Sequence, residues 1–150
     1  MKIFLRFVTI ICVLVVPVSS VVAADLSKQK PIEISVALGD KENAMSFTPS
    51  LIELEAGKLY KLILENKGNT KHYFTSPGLA QAVYTRKVQI NDGNGKPMAE
   101  VKGSINEIEI YPGHKAEWWF VPVKAGVFSD LHCSIAGHSE AGMVGKIIIK

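Results

Sequence analysis

Three residues near the C-terminus, Cys133, His138 and Met143, lie five positions apart in the segment CSIAGHSEAGM, and His72 lies far upstream. Together they offer a thiolate, two imidazoles and a thioether. A mononuclear electron-transfer copper site takes two His and one Cys in a plane, with a weakly bound Met on the axis. This donor set suits both Cu(I) and Cu(II). The pattern therefore predicts one copper ion that exchanges single electrons.

Each of these residues also has an ordinary structural explanation. A lone Cys is usually a small buried hydrophobe, Met143 alone would be a core residue, and His72 alone a loop histidine. The spacing from Cys133 to His138 and Met143 favours ligation instead. A Cys-His₂ set also suits zinc. A hydrolase with Cys133 as nucleophile and His72 or His138 as base is a further alternative, but no oxyanion donors are evident.

The remaining histidines are expected to lie outside this site. His114 follows the turn at 112–113 and is predicted to be solvated, and His132 alternates with Cys133 along a strand and so faces the other way. Copper enzymes such as nitrite reductases and multicopper oxidases need further metal sites, and no other His cluster supplies one. We therefore expect that the protein is not an enzyme.

The ligand segment ends a β-rich chain, and the turn NKGNTKH precedes its distant partner His72. In this the chain resembles the cupredoxins, the small blue copper proteins, with a ligand spacing similar to that of rusticyanin and sulfocyanin. The resemblance implies a Greek-key β-sandwich and one type 1 copper held by His72, Cys133, His138 and Met143. It also implies redox partners such as cytochromes or a terminal reductase or oxidase.

Two positions depart from the family pattern. Many cupredoxins have Asn or Ser after the first ligand His, where the side chain ties the two ligand loops together, but this chain has Tyr73. Ala136 stands where relatives often have Pro, which should leave the ligand loop less restricted. A looser loop would suit an exchangeable site, so copper capture, delivery or resistance in the periplasm is the alternative to electron transfer. The resemblance implies that the ring of His138 reaches the surface through an apolar docking patch. We expect this patch to consist of Ile135, Ala136, Gly137 and residues 141–144.

Residues 1–24 resemble a secretory signal peptide. Lys2 and Arg6 form a positive start, an apolar run covers 7–16, and small residues at 22–24 offer a cleavage site. The protein is therefore expected to be periplasmic or otherwise exported, with membrane attachment only through an uncleaved leader. Cys12 would leave with the leader, so the mature chain could form no internal disulfide. A metal explains the unpaired Cys133 in an exported protein.

The charge balance argues against one class of partner. The chain has 17 basic and 14 acidic residues, and loss of Lys2 and Arg6 leaves 15 against 14, or +1. This balance gives no support to nucleic-acid binding. Residues 25–150 suffice for one domain with a real core. We expect a monomer.

The chain after the leader is predicted to be all-β. Apolar Ile32, Ile34 and Val36 alternate with polar residues, as in a half-buried strand. Ser76 and Pro77 predict the start of a short helix over residues 77–86, followed by a strand at 87–90. We interpret residues 75–103 as an excursion that covers one end of the barrel, or that shapes a partner surface. The predicted strands cover 31–38, 51–55, 59–65, 87–90, 105–111, 116–123 and 144–150.

Overall fold

The computed structural model describes residues 28–150. The predicted signal peptide lies outside the described residues. Within residues 28–150, no helix has both the length and the apolar character needed to span a membrane.

Short strands form most of the described chain, and one α-helix of six residues lies among them. In order, the elements are β1 (Ile32–Leu38), β2 (Phe47–Thr48), β3 (Leu51–Leu54), β4 (Tyr60–Asn66), β5 (His72–Thr75), α1 (Pro77–Ala82), β6 (Val83–Asn91), β7 (Pro97–Val101), β8 (Glu107–Ile110), β9 (Lys115–Pro122), β10 (Gly126–His132) and β11 (Val144–Ile149).

The strands form two sheets. One sheet has the order β2-β1-β4-β9-β6-β7 and the other β3-β11-β10-β5-β8. The chain crosses repeatedly between them: β3, β5 and β8 lie in the second sheet while β4, β6 and β9 lie in the first. The pairs β1–β4 and β3–β11 are parallel, and the other paired strands are antiparallel. The predicted β-sandwich is confirmed.

Alternating side chains close the space between the sheets. In β4, Tyr60, Leu62 and Leu64 are buried while the residues between them are only partly covered, because successive strand residues point to opposite faces. The centre is aromatic: the rings of Trp118 and Phe120 lie 5.1 Å apart and tilted, and Phe74 meets Trp118 edge-on at 6.5 Å. This packed layer is the scaffold under the candidate site.

Residues 75–103 are not a peripheral excursion. The helix ends at Ala82, and residues 83–86, predicted as its last turn, are the start of β6. Strand β6 pairs with β9 from Val83–Pro122 to Ile90–Ala116, so it extends the main sheet. The helix start was predicted correctly: Ser76 is the N-cap, and its Oγ accepts a hydrogen bond from the Leu79 amide. Val83, Tyr84 and Thr85 are strand-forming types, which explains the early end of the helix.

Candidate metal centre

The loop between β10 and β11 carries Cys133, His138 and Met143, and its backbone is closed on itself. The Cys133 amide donates to the Met143 carbonyl at 3.1 Å, and the Met143 amide donates to the His138 carbonyl at 2.9 Å. The Ser139 hydroxyl donates to the Cys133 carbonyl at 2.8 Å. These bonds place the three predicted donors on one short, braced loop.

Cys133 directly follows β10, and its side chain lies in the interior. The pairing of β10 with β11 shifts register between Phe128 and Leu131, as at a β-bulge. A bulge re-aims the side chains that follow it. Leu131 and Cys133 are buried, and His132 between them is partly exposed. Cys133 is a free thiol with no accessible surface.

His72 begins β5 and is fixed by the loop that precedes it. Asn66, at the end of β4, is only 1% exposed. Its amide nitrogen donates to the Thr70 carbonyl at 2.8 Å and to the Ile110 carbonyl at 2.7 Å, and its oxygen accepts from the Gly68 amide at 2.9 Å. The side chain therefore braces the loop from within and ties it to β8 through Ile110. The position of His72 therefore depends on Asn66.

His72, on β5, lies close to the loop that carries Cys133 and His138. One ligand atom from each of His72, Cys133 and His138 lies within 4.8 Å of the others. The Cys133 Sγ is 3.4 Å from His138 Nδ1, and the two imidazole rings are 5.1 Å apart. Among residues 28–150 this is the only such group of three His, Cys, Asp or Glu donors. The thiol and two imidazoles are donors that a copper or zinc ion accepts.

One atom of this group lacks a partner. His72 is 1% exposed, and its Nδ1 makes no hydrogen bond with the described residues. A buried polar atom without a partner is costly, and a metal ion would satisfy it. Burial, and then the nearby His138, lower the pKa of His72. Its imidazole is therefore held neutral, which is the form that binds metals. The residues present fit a metal ion.

The other predicted residues are placed as follows. Met143 is fully buried in the same loop, and its ligation remains a prediction. His114 is exposed, with Nδ1 at 2.9 Å from the Pro112 carbonyl, and His132 has Nδ1 at 2.8 Å from the Asp130 carbonyl. Neither belongs to the donor group.

A backbone amide links the two ligand segments at Tyr73. The Tyr73 amide donates to Cys133 Sγ at 3.3 Å, so the backbone makes a connection that the side chain was expected to lack. An N–H bond to a thiolate stabilises its negative charge. The Tyr73 side chain is partly exposed, and its interaction with Glu109 raises the pKa of its hydroxyl.

Glu107 forms a second link that the sequence did not suggest. Its Oε2 accepts from the hydroxyl of Ser134 at 2.5 Å and from that of Thr75 at 2.8 Å. Ser134 directly follows Cys133, and Thr75 lies on β5 with His72. Glu107 therefore ties the ligand loop to the strand that carries the distant ligand. The contacts span 27 and 32 positions, and no local pattern could have revealed them.

Apolar residues are exposed in the loop that carries His138, together with the polar Ser134 and Glu140. His138 and Ile135 are partly exposed, and Ala136 and Gly137 are exposed. Val144 is 49% exposed. Of the patch expected from the sequence, Met143 is the buried exception.

Comparisons with known proteins place this fold among the cupredoxins. Auracyanin B superimposes with a TM-score of 0.52 at 14% identity, over 82% of this chain and 92% of that one. A multicopper oxidase from Campylobacter jejuni gives a TM-score of 0.61 at 17% identity, over 82% of this chain but 31% of the oxidase. The chain therefore has a cupredoxin-like fold.

Sequence similarity adds curated relatives. The copper-resistant cuproprotein CopI of Pseudomonas aeruginosa is 29% identical over 78% of this chain and 75% of the relative. CopI of Rubrivivax gelatinosus is 28% identical over 72% of this chain and 62% of the relative. A multicopper oxidase of Staphylococcus epidermidis is 31% identical over 70% of this chain, which spans only 22% of that oxidase. No family model matches the chain.

The prediction that the protein is not an enzyme is contradicted. Multicopper oxidases are among its relatives in sequence and in fold. The chain matches a single cupredoxin-like domain of those proteins, so the matches do not establish an activity either. The error lay in treating one donor cluster as grounds for excluding the whole class of copper enzymes.

Proposed function

We propose that the protein binds one copper ion as a type 1 centre and carries single electrons. The ligands are His72, Cys133 and His138, with Met143 as the weak axial donor. The observation that carries the proposal is the buried donor group with an unpartnered Nδ1 on His72. The copper proteins among the relatives support the choice of metal.

The surroundings favour rapid electron exchange. Bound copper would supply a reversible one-electron couple between Cu(I) and Cu(II). The chain holds His72 and Cys133 rigidly, through Asn66 and the Tyr73 amide, so little has to move between the two states. The partly exposed His138 lies in the apolar patch, where a redox partner such as a cytochrome or a terminal reductase or oxidase would dock on a monomer.

Copper capture, delivery or resistance is the second candidate. Both CopI relatives are named copper-resistant cuproproteins, and one aligns over three quarters of both chains. For either function we propose export to the periplasm or beyond, which the leader-like residues 1–24 support.

Ligation is tested by adding Cu(II) to the purified, metal-free chain. We expect an intense charge-transfer band in the red part of the visible spectrum, because copper bonded to a thiolate absorbs there. Cys133→Ser should abolish the band, and the control His114→Ala should leave it unchanged, since His114 is exposed and outside the donor group. A band that survives the serine substitution would refute the site.

The two functions are separated by a charge in the patch. Ala136 is exposed beside His138, so Ala136→Asp should slow electron transfer to a soluble cytochrome at least several-fold while preserving the visible spectrum. The substitution affects docking and leaves the ligands alone. Stopped-flow kinetics measures the rate. An unchanged rate, or a wild-type protein that surrenders Cu(I) readily to a moderate chelator and exchanges electrons slowly, favours copper handling instead.

A further inference from the structure

Two glycines enclose the ring of His72. A Cβ built on Gly39 would lie 2.8 Å from His72 Nε2, and one on Gly68 would lie 3.0 Å from the same atom. Protein interiors are packed as densely as organic crystals, with no room for an additional methyl group at such distances. Alanine at either position would therefore displace the ring or the backbone.

Both contacts fall on the same edge of the imidazole. The next nearest ring atom to each glycine is Cδ2, at 3.3 Å from the Gly39 Cβ and 3.6 Å from the Gly68 Cβ. The unpartnered Nδ1 lies on the other side of the ring. In the proposed site it would bind the metal together with Cys133 and His138. A push on the Nε2 edge therefore turns Nδ1 relative to those donors.

The backbone around the glycines is braced and cannot yield easily. The Lys67 amide donates to the Leu38 carbonyl at 3.0 Å, so the residues that precede the two glycines are bonded to each other. The Gly39 amide donates to the Ser46 carbonyl at 2.9 Å. We define the two glycines with these bonds as the glycine cradle.

The loop that follows Gly39 is also fixed. Asp40 Oδ1 accepts from the amides of Glu42 and Ala44, each at 2.9 Å. On the other side, the Gly68 amide is held by Asn66. With both segments anchored, the ring is the part that has to move when a side chain is added.

We propose that Gly39 and Gly68 are positioning residues that set the direction of His72 Nδ1 in the metal site. The absence of a side chain at both positions is what lets the two backbone segments close on the ring. The consequence for copper rests on the proposed function, whereas the contact with the ring does not. The segment 39–46 thereby becomes part of the site, although it contains none of the predicted ligands.

The chain offers a matched control for each glycine. Neither Gly68 nor Gly93 has a φ in the left-handed region, but a Cβ on Gly93 would meet nothing within 4 Å. Gly39 and Gly57 both have positive φ, +65° and +78°, and a Cβ on Gly57 would likewise meet open space. Alanine costs comparable backbone strain within each pair. In each cradle variant the nearest atom to the added Cβ is His72 Nε2, and the next contacts outside the ring are Asn66 Oδ1 at 3.4 Å for Gly68 and the Ala44 carbonyl at 3.5 Å for Gly39. A difference within a pair that includes the His72 ring signals therefore reports contact with His72.

The experiment compares Gly68→Ala with Gly93→Ala, and Gly39→Ala with Gly57→Ala, in the purified chain. We expect the two cradle variants to change the relative intensities of the copper charge-transfer bands and to weaken copper binding roughly 10-fold or more in a competition titration, as changes around metal ligands commonly do. The controls should match the wild type in both. Nitrogen-15 NMR of the imidazoles in the metal-free protein should show the His72 signals shifted in Gly68→Ala and unshifted in Gly93→Ala.

The outcomes separate the two proposals. If the wild type shows the thiolate band and both cradle variants equal their controls in spectrum, affinity and ring signals, the positioning role is overturned. If the wild type shows no band, the proposed function fails, and the metal-free ring signals still decide the cradle: a shift specific to Gly68→Ala supports it, and equal signals overturn it. Gly68→Ala alone suffices for this decision if Gly39→Ala does not fold.

Discussion

Asn66 offers a sharp test of how the distant ligand is positioned. The substitution Asn66→Ala removes three short hydrogen bonds from a side chain that is 1% exposed. Each such bond contributes about 0.5–1.5 kcal/mol net, and a buried group left without a partner costs about 1–3 kcal/mol. Because the loop can relax partly toward water, we expect a loss of about 2–4 kcal/mol in the free energy of unfolding.

Urea denaturation of the metal-free chain measures this loss. With a slope of about 2 kcal/mol per M, in the middle of the usual range for urea, the midpoint should fall by roughly 1–2 M. The control is Asn94→Ala, in the exposed turn between β6 and β7, where a change within about 0.5 kcal/mol is expected. Equal midpoints for the two variants would falsify the claim that Asn66 holds the loop before His72.

Three further predictions follow from the site. If Met143 is the axial ligand, Met143→Leu should keep copper and raise the reduction potential, because it removes a donor that favours Cu(II). Met143→Gln should lower the potential. Voltammetry that finds no change in either variant would remove Met143 from the ligand set. Glu107→Ala should lower the free energy of unfolding, measured by urea denaturation, by about 1–2 kcal/mol, because the buried Thr75 hydroxyl loses its acceptor. The control Glu100→Ala, on the exposed strand β7, should lower it by under about 0.5 kcal/mol. Equal losses would contradict the link through Glu107. Copper at about a hundredfold over its dissociation constant should stabilise the fold by roughly 2.7 kcal/mol, and calorimetry that gives equal melting temperatures with and without copper would argue against a preformed site.

The sequence was most informative where the interacting residues are close along the chain. The five-residue spacings from Cys133 to Met143 place three donors on one loop without knowledge of the fold. His72 depends on the resemblance, because nothing local distinguishes it from a surface histidine. The structure brings it within reach of the loop through the packing of β5 against β8 and β10.

The residues that the sequence did not reveal act across long separations. Gly39 contacts a ring 33 positions away, and Glu107 joins residues 27 and 32 positions away. A glycine after a strand usually indicates only a turn, and a single exposed Glu usually indicates a solvated face. The same limit explains β6, where a strong helix start at Ser76 masked the strand-forming residues that follow Ala82.

How firmly each predicted ligand is held bears on whether the protein carries electrons or exchanges copper. Release of a metal ion requires the ligands to separate, and the partly exposed His138 is the donor that a chelator reaches first. His138 belongs to the loop closed by the Cys133–Met143 and Met143–His138 backbone bonds, whereas His72 is fixed by Asn66 and the glycine cradle. Opening would therefore begin in residues 134–142, where Ala136 and Gly137 are exposed and impose no proline-like restriction. If the loop opens rarely, the protein keeps its copper and can carry electrons. If the loop opens often, the protein can pass copper on to another molecule. The frequency of this local opening is therefore the physical quantity that distinguishes the two functions.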